Sequence, residues 1–170
     1  FAAPNLLFRN DGNGIFVQLS NPFGFTPQQV NGGSSWGDLN NDGFIDCIIA
    51  SYPSGAFLNN GNETFTDIST QIPNLNGFPS WACAIGDWNK DAFPDFVFAH
   101  AANFHPAGPF PSKLYMNSSA AVTPQYITGY TLTDSTKPYT VPYWSDYDLD
   151  GDMDLFVASG PGGTAGFDFC

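Results

Sequence analysis

Basic residues are nearly missing from this chain: four Lys and Arg stand against 16 Asp and Glu, a formal charge of −12. Nucleic acid is bound largely through cations that neutralise phosphates. Arg9, Lys90, Lys113 and Lys137 are too few for that, so nucleic acid is not an expected partner. No stretch approaches the roughly 18 apolar residues of a membrane-spanning helix, so membrane insertion is not expected either. Histidine is limited to His100 and His105, both in the Pro/Gly-rich segment 99–112. A zinc site needs further nitrogen or sulfur ligands at suitable spacing, and two solvated loop histidines are the expectation. Ser34, Ser35, Ser80 and Ser145 all sit beside strands; only Ser35 has Gly-x-Ser-x-Gly spacing, from Gly33 to Gly37, and no helix is expected after it to make the strand-to-helix elbow of a nucleophile. An enzyme is not expected. The chain begins at Phe1 rather than Met, and reads as processed or truncated.

Aspartate is abundant, and it is patterned. One nine-residue pattern occurs three times, at 38–46, 87–95 and 146–154. Oxygen side chains occupy its positions 1, 3, 5 and 9: Asp38, Asn40, Asp42 and Asp46; Asp87, Asn89, Asp91 and Asp95; Asp146, Asp148, Asp150 and Asp154. Ca²⁺ takes about six to eight hard oxygen ligands, some of them backbone carbonyls. The carbonyls of Phe44, Phe93 and Asp152, at position 7, complete the expected set. Position 6 is Gly43 and Gly151 in two copies, suited to a sharp turn, but Ala92 in the second. Three Ca²⁺ sites are therefore expected. The all-carboxylate third should bind tightest, and the second, strained at Ala92, weakest.

An EF-hand would need a Glu at position 12 and flanking helices. Position 12 is Ile49, Phe98 and Val157, within the apolar runs 47–50, 96–99 and 155–158. These read as buried strands. A second module also recurs, Phe8-Arg9-Asn10-Asp11-Gly12 through Phe16 and Phe57-Leu58-Asn59-Asn60-Gly61 through Phe65, with a degenerate copy from Tyr115. Apolar residues around an Asn/Gly turn signal a hairpin. Each unit is then four short strands. The first aspartates, at 38, 87 and 146, set a period near that of propeller blades.

This combination of acidic loop, apolar strand and Asn/Gly hairpin resembles the FG-GAP/VCBS repeat, and the resemblance extends over essentially the whole chain. That family includes the calcium-bearing blades of integrin α-subunit propellers and many secreted proteins, some of them lectins. The resemblance implies an all-β fold of β-propeller blades. The expected organisation is a half-blade at 1–20, blades at 32–70 and 80–130, and a half-blade at 141–159. It also implies that the side chains at positions 1, 3, 5 and 9 ligate calcium. Three bound Ca²⁺ would reduce the formal charge from −12 to −6, an ordinary value for a soluble domain.

Trp36, Trp81, Trp88 and Trp144 are expected to pack around the loops rather than to stack on sugars. Asn62 and Asn117 lie in glycosylation sequons. Cys47 and Cys83 are read either as a disulfide pair between neighbouring blades or as two buried thiols, with Cys170 left over. The half-blades imply a fragment of a larger ring or completion by another chain. Two functions follow as expectations. One is a secreted or cell-surface calcium-binding module that recognises a carbohydrate or protein ligand. The other is a structural subunit that assembles with further copies of itself by blade complementation.

Overall fold

Short runs of β-branched and aromatic residues, broken by Asn, Asp and Gly, give strands and almost nothing else. The computed structural model describes residues 6–20, 32–75, 79–100, 111–129 and 139–159. These contain twelve strands: β1 (Leu7–Asn10), β2 (Phe16–Leu19), β3 (Ser34–Gly37), β4 (Asp46–Ile49), β5 (Gly55–Asn59), β6 (Phe65–Asp67), β7 (Ala82–Gly86), β8 (Asp95–Ala99), β9 (Lys113–Met116), β10 (Gln125–Ile127), β11 (Tyr139–Ser145) and β12 (Asp154–Ser159). The described helical content is one 3-10 turn, Ser69–Gln71, and no described helix is long and apolar enough to cross a membrane.

The strands form four antiparallel sheets. Two are complete four-stranded meanders, β3-β4-β5-β6 and β7-β8-β9-β10, and two are pairs, β1-β2 and β11-β12. Their registers repeat. Trp36 faces Cys47 across the β3–β4 ladder, Ile85 faces Phe96 across β7–β8, and Trp144 faces Leu155 across β11–β12. Asn10 opposes Phe16 in the first hairpin as Asn59 opposes Phe65 in the second. Identical turn chemistry fixes identical registers.

Burial between the sheets holds the stack together. The largest cluster lies between the two complete sheets and contains Leu39, Ile48, Ala56, Cys83, Phe96, Phe98 and Tyr115. Phe96 stacks on Tyr115 at 5.0 Å between ring centroids. Removing one such side chain from water contributes about 1.5–3 kcal/mol. Leu7 packs from the β1-β2 pair onto Cys47, Ile49 and Phe57. On the other side Trp144 and Leu155 pack onto Ala84, Val97 and Leu114. First strands lie side by side, with β7 touching both β3 and β11. Close approach is possible because a Cβ on Gly37 would meet Ile85 at 2.8 Å, and one on Gly86 would meet the Trp144 ring at 2.7 Å.

Three expectations are corrected, and the open reading of the cysteines is resolved. β4 and β8 are buried along their whole length, but β12 is not, and Phe156 is 67% exposed. Sheets cover both faces of β4 and β8, while among the described residues only one face of β12 is covered. Cys47 and Cys83 do not pair: both are free, buried thiols. The Cys83 Sγ lies 3.6 Å from the carbonyl oxygens of Gly33 and Ile48, and burial pushes its pKa up to about 12. His100 is not solvated. It is 1% exposed, with Nε2 at 3.2 Å from Ser80 Oγ, and burial brings its pKa down to about 3. Asn117 is fully buried, its Nδ2 donating to the carbonyl of Leu39 at 2.8 Å, so no glycan can be carried there in the folded state. The whole segment 101–110, His105 included, and Cys170 lie outside the described residues.

Candidate metal centre

Each acidic loop joins the first strand of a sheet to the second, and the backbone dictates its form. Position 6 takes positive φ in all three copies: Gly43 at 90°, Ala92 at 72° and Gly151 at 92°. The sequence also conceals a second left-handed position. Asn41, Lys90 and Leu149, at position 4, sit at φ 58°, 59° and 61°. Asn adopts this conformation readily; Lys and Leu do so only when the surrounding bonds impose it. No residue type repeats at position 4, so sequence inspection had no signal to find there.

Those surrounding bonds are the same in every loop. In the first, Asp38 accepts from the backbone N–H groups of Asp42 (3.0 Å) and Gly43 (2.8 Å), Asn40 Oδ1 accepts from Asp42 (3.2 Å), and Asp42 Oδ1 accepts from Phe44 (2.8 Å). Asp87, Asn89 and Asp91 repeat this with the N–H groups of Asp91, Ala92 and Phe93. Asp146, Asp148 and Asp150 repeat it with those of Asp150, Gly151 and Asp152. Each accepting oxygen keeps a further lone pair. The carboxylates are thus aimed before any cation arrives.

Position 9 does a different job. Asp46 and Asp95 are fully buried. One oxygen of each accepts from position 2 of its own loop, Leu39 (2.8 Å) or Trp88 (3.3 Å). The other accepts from the hairpin asparagine N–H, Asn59 or Asn117, at 2.8 Å in both. Burial is the main force that raises their pKa values, to about 6 for Asp95, while those N–H bonds oppose the rise. The nearby carboxylates Asp42 and Asp38, or Asp91 and Asp87, push in the same direction as burial. Asp154 accepts from Tyr147 at 3.2 Å, and its sheet has no third strand among the described residues.

In loop three, Asp146, Asp148 and Asp154 each bring a carboxylate oxygen within 4.8 Å of the others. Carboxylates this close repel unless a cation or a proton joins them. Hard oxygens around one point suit Ca²⁺, so this donor set fits the ion. Lys90 reaches across from loop two to pair with Asp152. The tryptophans pack around the loops: Trp88 and Trp144 meet edge to face at 5.5 Å, and Trp36 meets Phe65 at 6.2 Å. Asn62 is exposed, its Oδ1 accepting from Thr64 Oγ1 at 2.6 Å.

Fold and loops together define a repeat protein in which antiparallel units each carry an acidic loop between their first two strands. Residues 38–98 match the family model of the FG-GAP-like repeat. Cartilage acidic protein 1 of Xenopus tropicalis is similar to this chain, at 26% identity over 166 residues. That alignment covers 92% of this chain and 25% of the relative, so the chain spans about a quarter of the relative's length.

Proposed function

We propose that the chain is a calcium-stabilised set of β-propeller blades in an extracellular module that recognises a carbohydrate or protein ligand. The carrying observation is the threefold repetition of one hydrogen-bonded carboxylate cradle at 38–46, 87–95 and 146–154. Asp38, Asn40, Asp42 and Asp46 would hold one ion, with the Phe44 carbonyl. Asp87, Asn89, Asp91 and Asp95 would hold a second with that of Phe93, and Asp146, Asp148, Asp150 and Asp154 a third with that of Asp152. Bound calcium would neutralise carboxylates that otherwise repel. Modest-affinity loops of this kind suit the millimolar calcium outside cells. The match to the FG-GAP-like repeat supports the reading, and the side-by-side first strands fit propeller blades. The role is binding rather than catalysis, because the clustered carboxylates are committed to the loops.

Metal removal tests this. Saturating one site at a hundredfold excess over Kd stabilises the native state by about 2.7 kcal/mol. In a protein of this size each kcal/mol moves Tm by roughly 2–4 °C. Excess EGTA should therefore lower Tm by at least about 10 °C, and calorimetry should count three ions per chain. An unchanged melting curve would sink the proposal.

A further inference from the structure

Lysine occurs once in the three acidic loops, at position 4 of loop two, where the equivalent residues are Asn41 and Leu149. Lys90 keeps the left-handed backbone of that position, at φ 59°, a conformation less natural to lysine than to asparagine. Its side chain leaves loop two and pairs with Asp152 of loop three. The ammonium also lies against the turn of that loop, 3.9 Å from where a Cβ on Gly151 would stand. Gly151 in turn gives its N–H to Asp146 at 3.0 Å. Ammonium and carboxylate are thus within the roughly 10 Å over which exposed charges still act at 0.1 M salt.

We infer that Lys90 sets the calcium affinity of loop three, standing beside the ion as a built-in positive charge that weakens its binding. The inference rests on the calcium reading above and deepens it. Three observations carry it. First, the charge lies where the field is strongest. Loop three holds five aspartates, Asp146, Asp148, Asp150, Asp152 and Asp154, against three in each of the other loops. The hydrogen bond to Asp152, and the charges of Asp152, Asp150 and Asp146, hold the Lys90 pKa above its ordinary value, so the side chain stays cationic at neutral pH. Second, the reach is supported from beneath. Trp88, two residues earlier, meets Trp144 edge to face at 5.5 Å, and Trp144 is buried. Loop two is thereby seated against the strand that leads into loop three. Third, loops one and two have no such pair of charges: position 4 of loop one is Asn41, and position 7 of loop two is Phe93. The device belongs to the one junction that precedes the most acidic loop.

The pair does little for the fold itself. The Lys90 and Asp152 side chains are 54% and 71% exposed, and ion pairs so exposed add little stability. Their effect on a bound dication is larger. Calcium carries two charges and the ammonium repels both, while pairing with Lys90 offsets the attraction that Asp152 would exert on the ion. Removing the lysine ends the repulsion and frees the Asp152 charge at once.

Calcium titration followed by nitrogen–proton correlation spectra reads the loops one by one. The N–H groups of Gly43, Ala92 and Gly151 each bond the first aspartate of their own loop. At low salt, Lys90→Gln should tighten loop three by about threefold to tenfold and leave loop one unchanged. In EGTA its Tm should stay within about 2 °C of the parent. In about 1 M salt the gain should fall below about twofold. Lys90→Arg keeps the charge and should bind calcium as the parent does. In an Asp152→Asn background, which keeps the position-7 carbonyl, Lys90→Gln should gain less, because the lysine has lost its anchor. An unchanged Gly151 titration in Lys90→Gln, or a gain at Ala92 alone, overturns the inference and leaves the proposed function standing. If calcium moves none of the three amides, the proposed function falls and this inference with it.

Discussion

Ala92 carries a conformational fault in the acidic loops, at the position where the other two loops have glycine. Its φ of 72° lies in the left-handed region, where an L-residue with a Cβ costs about 1–2 kcal/mol. Glycine relieves that strain but gains freedom in the unfolded chain. Ala92→Gly should therefore stabilise the protein by about 0.5–1 kcal/mol, raise Tm by about 2 °C, and tighten calcium at loop two. A lower Tm would show that the turn is held differently. The position-9 aspartates give a second residue-scale test, through protons. Asp95 rises to about 6 from 3.8, and Asp46 moves the same way, both chiefly through burial. Raised acids make the native state the stronger proton binder. Their contribution is fully present below the unfolded value of 3.8 and is lost as pH rises through about 6. Calcium competes for the same oxygens. The gain in Tm on adding calcium should grow between about pH 5 and pH 7, whereas a constant gain would remove these aspartates from the ligand set. His100 has the opposite sign: its stability is present above 6.5 and lost as pH falls toward about 3. It acts with and without calcium alike, so the difference between the two curves isolates the carboxylates.

At the scale of elements, the hairpin asparagines are ties rather than decoration. Asn59 and Asn117 each give a backbone N–H to a buried aspartate one strand away. The Asn117 side chain goes further and binds the Leu39 carbonyl in the loop of the preceding sheet. Deleting one partner of a buried hydrogen bond costs about 1–3 kcal/mol. Asn117→Ala should lower Tm by several degrees, whereas Asn62→Ala, at an exposed turn, should stay within about 0.5 kcal/mol of the parent. Equal effects would mean that the tie between sheets contributes nothing. Strands and turns were legible here because they obey local rules: apolar runs bounded by turn residues at 47–50, 96–99 and 155–158 became β4, β8 and β12. Burial was less so. The sequons at Asn62 and Asn117 look alike, and only the neighbouring sheet makes one exposed and the other inaccessible.

The whole molecule is a row of sheets in which each covers the face of the next, and its ends differ from its middle. That difference explains most of what the sequence left out. Phe156 and Val97 occupy equivalent strand positions, yet one is exposed and the other buried, because one sheet has a neighbour and the other does not among the described residues. Cys47 and Cys83 belong to adjacent sheets but pack in different layers, Cys47 with Ile49 and Phe57 and Cys83 with Ile48 and Phe96, a division that no spacing along the chain encodes. His100 follows the same logic. Its segment is rich in proline and glycine, but the residue itself closes the end of β8, where the packing of two sheets covers it. The oxygen pattern of the loops, by contrast, is wholly local, so the candidate site was readable in outline from the sequence.

The link from Asn117 to Leu39 makes the row a nearest-neighbour system. Loop one is fastened by its own sheet and by the next. Loop two has a folded sheet beside it, and loop three has no such clasp among the described residues. Stability in linear arrays is a sum of unit and interface terms, so opening proceeds from the least supported unit. Under chelation, limited proteolysis should cut first within 146–154 and last within 38–46, in the manner of a zipper released from one end. Early cleavage in the first loop would mean that the units open independently, and that the asparagine clasp transmits nothing between them.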